Sequence, residues 1–108
     1  MEEALRAIAE PHRRRILTLV SSNELSAGEI AARFEITRPA VSQHLTVLRE
    51  AGLVSERREG TRRLYRIRPE GFADLRSFLQ AFWDEGLERL KQAAEAEEGR
   101  RRRGRRAA

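Results

Sequence analysis

Apolar residues recur along this chain with two periods, and the switch between them divides it into elements. Ile16, Leu19 and Val20 stand at i, i+3 and i+4, one stripe of a helix that opens at Pro11 and meets the polar stop Ser21-Ser22-Asn23. A short helix over residues 2–9 precedes it. Ala27, Ile30, Ala31 and Phe34 follow the i, i+3, i+4, i+7 pattern, and Ser26 with Glu29 makes a capping-box pair ahead of them, so another helix runs from Ala27 to Glu35-Ile36. Thr37 then caps a helix over residues 38–51, with Pro39 tolerated in its first turn and Gly52 as its C-terminal glycine. Beyond Gly52 the period shortens to two. Residues 53–58 and 63–68 read as strands joined by Glu59-Gly60-Thr61-Arg62, a β-hairpin ended by Pro69 and Gly71. Helical spacing returns in Phe72, Leu75, Leu79, Phe82, Gly86, Leu90 and Ala93, one helix of about 24 residues and about 36 Å.

The fold class this predicts is mostly α with a small β-hairpin. Helix, tight turn, helix and hairpin, in that order, make a winged helix-turn-helix in which the second helix enters the DNA major groove. Stepping about 100° per residue from Val41, Leu45 and Leu48 fall within about 40° of it and form the buried stripe. Pro39, Gln43, Thr46, Val47 and Glu50 then lie on the opposite face, with Arg38, Ala40 and Ser42 near the N-terminal end that approaches base edges. Gln43 has the donor and acceptor for a bidentate pair with adenine, Ser42 can bond bases or phosphate, and an alanine or threonine methyl can touch thymine. A polar helix face alone is commonly just solvated. The hairpin tip shifts the balance, because Arg57, Arg58, Arg62 and Arg63 crowd a glycine turn and their repulsion calls for a counterion such as DNA phosphate.

Charge is segregated along the chain. Of 22 cationic residues, six arginines fall in residues 100–108, which leaves 16 against the chain's 17 acids. Residues 38–68 carry eight arginines against Glu50, Glu56 and Glu59, whereas residues 69–98 set Arg76, Arg89 and Lys91 against eight acids. A basic middle is the electrostatic footprint of a nucleic-acid binder. We therefore divide the chain into a winged helix-turn-helix domain over residues 1–98 and a basic, disordered tail over residues 99–108, which cannot bury enough apolar surface to offset the entropy of ordering it. Without cysteine there is no disulfide framework, thiolate metal site or thiol switch. No apolar run is long enough for a membrane span, and Glu2 and Glu3 follow Met1 where a signal peptide would be basic, so the expected location is cytoplasmic with no membrane partner. Two histidines and scattered serines assemble no nucleophile with its base, so no enzyme is expected.

The stretches EPHRRRILTLV and ELSAGEIAARFEITRPAVSQHLTVLREAGLVSERREGTRRLYRI, with the long last helix, resemble the ArsR family of bacterial winged-helix repressors over about residues 4–95. SQHLTVLREAGLV after a capped AGEIAARF helix, followed by an arginine-rich wing, is the specific part of the likeness. The resemblance implies a recognition helix over residues 38–51, whose DNA contacts are Thr37, Arg38, Pro39, Ala40, Ser42, Gln43 and Thr46, and a wing carrying Arg57, Arg58, Arg62 and Arg63. It implies a homodimer formed by the first and last helices, here through Leu5, Ile8, Leu75, Leu79, Phe82, Trp83, Leu87 and Leu90. The family's metal sensors place cysteines near the first helix of the motif or histidines and acids in the last helix, and neither set is complete here. His44, about 60° from the buried stripe, is expected to pack or touch phosphate, and His12 to lie at the surface or cap a helix. Asp74, Asp84, Glu85 and Glu88 read as a solvated helix face. The sequence thus points to a repressor that binds double-stranded DNA at an inverted-repeat operator without metal or cofactor, its small-molecule or protein effector unidentified. A sequence-neutral architectural DNA binder and a protein-interaction module using the long helix are the alternatives.

Overall fold

The computed structural model describes residues 1–107, with side chains through residue 104. In chain order it has α1 (Glu2–Ile8), α2 (Pro11–Ser22), β1 (Leu25–Ser26), α3 (Ala27–Ala31), α4 (Arg38–Glu50), β2 (Val54–Glu59), β3 (Arg62–Ile67), a 3-10 turn (Pro69–Phe72) and α5 (Ala73–Ala107). The capping residues act as their types dictate. The Glu10 carboxylate accepts the Arg13 N–H at 2.9 Å, Ser26 and Glu29 exchange both bonds of a capping box, and the Thr37 hydroxyl accepts the Ala40 N–H at 3.3 Å. At the far end of α4, Gly52 takes φ +77°, while the Leu53 N–H reaches Leu48 C=O at 3.0 Å and the Gly52 N–H reaches Arg49 C=O at 2.9 Å. This is the Schellman pairing that satisfies the helix's last carbonyls.

Ile16, Leu17 and Val20 of α2, Ile30 of α3, and Val41, Leu45 and Leu48 of α4 meet Leu53 and Val54 in one buried core. Deleting a side chain such as Leu45, which is 1% exposed, would cost about 2–5 kcal/mol. The wing is larger than its sequence pattern suggests: β1 adds to the hairpin, giving a three-stranded antiparallel sheet ordered β1-β3-β2. Two residues are too few to show a period, so β1 leaves no sequence signal. The hairpin is also tighter than expected. Glu59 pairs with Arg62 across a two-residue loop, and Gly60 at φ +63° supplies the left-handed first position that a type II′ turn needs.

Two further elements differ from expectation. The helix beginning at Ala27 ends at Ala31, four residues early, because Arg33 N–H and Phe34 N–H bond Ile30 C=O and Ala31 C=O, three residues back, and tighten the chain into turns. Helix α5 runs 35 residues, through positions 99–107 where the sequence suggests a disordered tail. Glu97 pairs with Arg100 and Arg101, and Glu98 with Arg102, at helical i+3 and i+4 spacing, and cations suit the negative end of a helix. Ala108 and the side chains of the last arginines lie outside the described residues. The chain separates into two units, Met1–Leu75 and Arg76–Ala108. Among the described residues, Leu75 is the last large apolar residue buried within the chain, and Phe78, Leu79, Phe82, Trp83, Leu87 and Leu90 after it are exposed. Among the described residues, no helix is long and apolar enough to cross a membrane.

Candidate nucleic-acid interface

Because Val41, Leu45 and Leu48 anchor one side of α4 in the core, the opposite side is fixed outward. Thr37, Arg38, Pro39, Ser42, Gln43 and Thr46 are exposed there, and Ala40 is half-buried. Two of the hydroxyls already have work within the helix. Thr37 caps it, and the Thr46 hydroxyl donates to Ser42 C=O at 3.0 Å. The Gln43 side chain and the Ser42 hydroxyl make no hydrogen bond within the described residues, and each keeps both donor and acceptor open to a base edge.

The arginines of the wing divide into two kinds. Arg57 donates through Nε to Glu24 at 2.8 Å and through Nη2 to Glu59 at 3.1 Å, and its bond holds the Glu24 carboxyl below its ordinary pKa. Arg62 pairs with Glu29. Arg58 and Arg63, together with Arg38 of α4, form no ion pair among the described residues. Of the four arginines whose repulsion calls for a counterion, Arg57 and Arg62 thus find one within the chain. Glu24 and Glu29 lie 33 residues before their partners, and the wing's own sequence carries no sign of them.

Between α3, the start of α4 and the wing lies an open groove of about 800 Å³, lined by Ser26, Glu29, Arg38, Ser42, Arg62 and Arg63 among others. The Arg38 side chain folds back over α3, its Cζ 3.8 Å from where a Cβ on Gly28 would stand. Arg38, Arg62 and Arg63 thus line one polar groove with a single acid, Glu29.

A second cluster ties α4 to the start of the chain. His12 Nδ1 lies 2.8 Å from Glu10 Oε1, His44 Nδ1 lies 3.9 Å from Glu10 Oε2, and the two rings stack at 5.7 Å between centroids. Desolvation raises the Glu10 pKa, but hydrogen bonds from His12 and the Arg13 N–H, with the charges of His44 and His12, outweigh it and leave the carboxyl below its ordinary value. One ligand atom from each residue lies within 4.8 Å of the others, the separation a metal trio would need. Yet the rings are only 14° from parallel, which aims their in-plane lone pairs past one another, and the Arg13 guanidinium stands 3.5 Å from His44 Nδ1, where it would oppose a cation. Arg13 also donates to Ala7 C=O at 2.6 Å and Arg6 C=O at 3.1 Å, and Arg14 to Ile8 C=O at 2.7 Å, so both satisfy carbonyls left open at the end of α1. These roles of the EPHRRR stretch were not legible from spacing alone.

The residues assigned to self-association fall into two groups. Leu79, Phe82, Trp83, Leu87 and Leu90 of α5 are exposed, Phe82 and Leu90 each at 67%. Leu75 is covered within the chain, and Leu5 and Ile8 of α1 are half-buried, Ile8 against the core. Among the described residues, the α5 stripe is therefore where most exposed large apolar side chains gather.

Comparison with known proteins places this arrangement in context. Residues 10–56 match the family model described as bacterial regulatory protein, arsR family. The HTH-type transcriptional regulator Rv2034 of Mycobacterium tuberculosis is 42% identical over 96 residues, covering 89% of this chain and 90% of that protein. The transcriptional repressor SdpR of Bacillus subtilis is 33% identical over 80% of this chain and 96% of its own length. Among solved structures, the homodimeric winged helix-turn-helix DNA-binding domain Mb0332 of Mycobacterium bovis superposes with TM-score 0.63 at 37% identity, over 81% of each chain.

Proposed function

The chain belongs to the arsR family of bacterial regulatory proteins, and from that premise we propose that it is a homodimeric, sequence-specific transcriptional repressor binding an inverted-repeat operator. The observation that carries this reading is the outward face of α4. Its apolar side is locked by Val41, Leu45 and Leu48, so Ser42 and Gln43 stand exposed in a fixed orientation, and Ser42 shares a groove with Arg38 and Arg63, which form no ion pair among the described residues. Base edges are read by Gln43 and Ser42, with Ala40 and Pro39 as apolar contacts, and phosphates are held by the arginines. The exposed α5 stripe supports pairing with a second copy, as Mb0332 is described. Two-fold pairing sets the recognition helices about 34 Å apart, one turn of the duplex, and so requires an inverted repeat. Repression is the action named for SdpR, and it follows simply from occupying promoter DNA. DNA binding needs no metal, because Glu10, His12 and His44 serve as a structural joint.

Recovering and sequencing genomic fragments that co-purify with the protein, followed by footprinting on them, tests the reading. A discrete footprint over an inverted repeat is expected. Uniform protection without a preferred sequence would replace the regulator with an architectural DNA binder.

A further inference from the structure

Glu29 stands where an anion of the partner is wanted. Its carboxylate lies at the edge of the groove between α3, α4 and the wing, paired with Arg62, while Arg38 and Arg63 line the same groove and form no ion pair among the described residues. Arginine forks receive a carboxylate and a phosphodiester with similar geometry. Glu29 has a second bond besides: its Oε1 accepts the Ser26 N–H at 3.1 Å, while the Glu29 N–H donates to the Ser26 hydroxyl at 3.2 Å. If Arg62 turned away, Glu29 would stay held by its capping box and no buried group would lose its partner, since both side chains are about half exposed.

We propose that the groove is a binding site for a DNA backbone phosphate, and that Glu29 is its resident competitor, holding Arg62 in the free protein until a phosphodiester takes its place. The proposal rests on the DNA-binding reading above. Exchange costs the Glu29–Arg62 pair, so Glu29 lowers affinity for every duplex alike. A duplex that also satisfies Gln43 and Ser42 recovers the loss through base contacts, and a random one does not. Glu29 thereby helps keep the protein off bulk DNA at physiological salt.

Glu29→Gln is a clean probe, because glutamine also serves in a capping box and only the charge is lost. The full-length protein, Glu29→Gln, Arg62→Ala and the double variant are titrated against a random-sequence duplex at several salt concentrations, with melting curves confirming that each is folded. Glu29→Gln should bind about 3- to 10-fold tighter near 0.1 M salt, because the phosphodiester no longer has to displace a carboxylate from Arg62. Arg62→Ala should bind more weakly than the unmodified chain. In the Arg62→Ala background, Glu29→Gln should change affinity by less than about twofold, because the competitor then has nothing to release. An equal gain with and without Arg62 would reduce Glu29 to a general repulsive charge and overturn the proposal. No gain from Glu29→Gln, with Arg62→Ala still weakening binding, would overturn it while leaving the DNA-binding reading intact. If neither substitution alters affinity, Arg62 contacts no DNA, and its place in the wing assignment falls together with the proposal.

Discussion

Gly71 packs so closely on Gly52 that a Cβ at position 71 would stand 1.8 Å from the Gly52 carbonyl oxygen. That carbonyl also accepts Arg68 Nη1 at 3.3 Å, and the Arg68 N–H bonds Leu53 C=O at 2.8 Å, so the end of β3 is clamped to the end of α4. Gly71→Ala must move backbone and should destabilise the protein by about 1–3 kcal/mol. Gly60 offers the comparison, since at φ +63° it has nothing within 4 Å of an added Cβ, and Gly60→Ala should cost only the strain of a left-handed residue, about 1–2 kcal/mol. Thermal melts of both compare them. Gly71→Ala as stable as the unmodified chain would mean that the contact is slack.

Acid should loosen the joint between the start of α2 and α4. The Glu10 pKa is depressed in the folded chain. Its contribution to stability is therefore fully present above the ordinary carboxylate pKa of 4.5 and is lost as pH falls through the lower folded value. Glu10→Gln should be less stable than the unmodified chain at pH 7, and the gap should close as both are taken below pH 4.5. Urea unfolding across that range measures it; a gap independent of pH would assign the loss to the cap geometry and not to the charge.

Pairing through α5 is equally open to test. Leu79 is 51% exposed and Leu87 41%, so aspartate at both positions disturbs little within one chain but places charge where a second copy would pack. Sedimentation at micromolar concentration should give a dimer for the unmodified chain and a folded monomer for the double variant. A stable monomer of the unmodified chain would refute the pairing.

The sequence shows the recognition helix plainly because its evidence is local: a cap, a three-residue apolar stripe and a terminal glycine within 16 residues, Thr37 to Gly52. Hairpin register was nearly legible too, with the turn glycine marking the loop and the strands displaced by a single residue. Interactions across long separations left no such mark. The Glu24–Arg57 and Glu29–Arg62 pairs, the stack of His12 on His44 and the seat of Gly71 on Gly52 depend on how elements meet, which no periodicity encodes. The continuation of α5 was missed for a different reason. The arginine run argues for disorder by composition, yet Glu97 and Glu98 sit at the spacing that pairs them with the first three of those arginines.

The arginine-rich end should tune affinity without setting specificity. Its six arginines can neutralise phosphates, and phosphate contacts carry no sequence information. Deleting residues 99–108 should flatten the logarithmic salt slope by several units when both copies engage DNA, at about 0.9 per contact, and weaken operator and random duplex alike. Titrations at several salt concentrations decide it. An unchanged slope would assign the segment to solubility.

Whether α4 reads bases is tested most directly by the ratio of affinities for the operator and for a random duplex, measured for the unmodified chain and for Gln43→Ala. Loss of a bidentate base contact should cost about 1–3 kcal/mol on the operator and little on random DNA, so the ratio should fall roughly 5- to 150-fold. Arg63→Ala, removing a phosphate contact, should lower both affinities and leave the ratio nearly unchanged. A ratio unaffected by Gln43→Ala would contradict the assignment of α4 as the recognition helix.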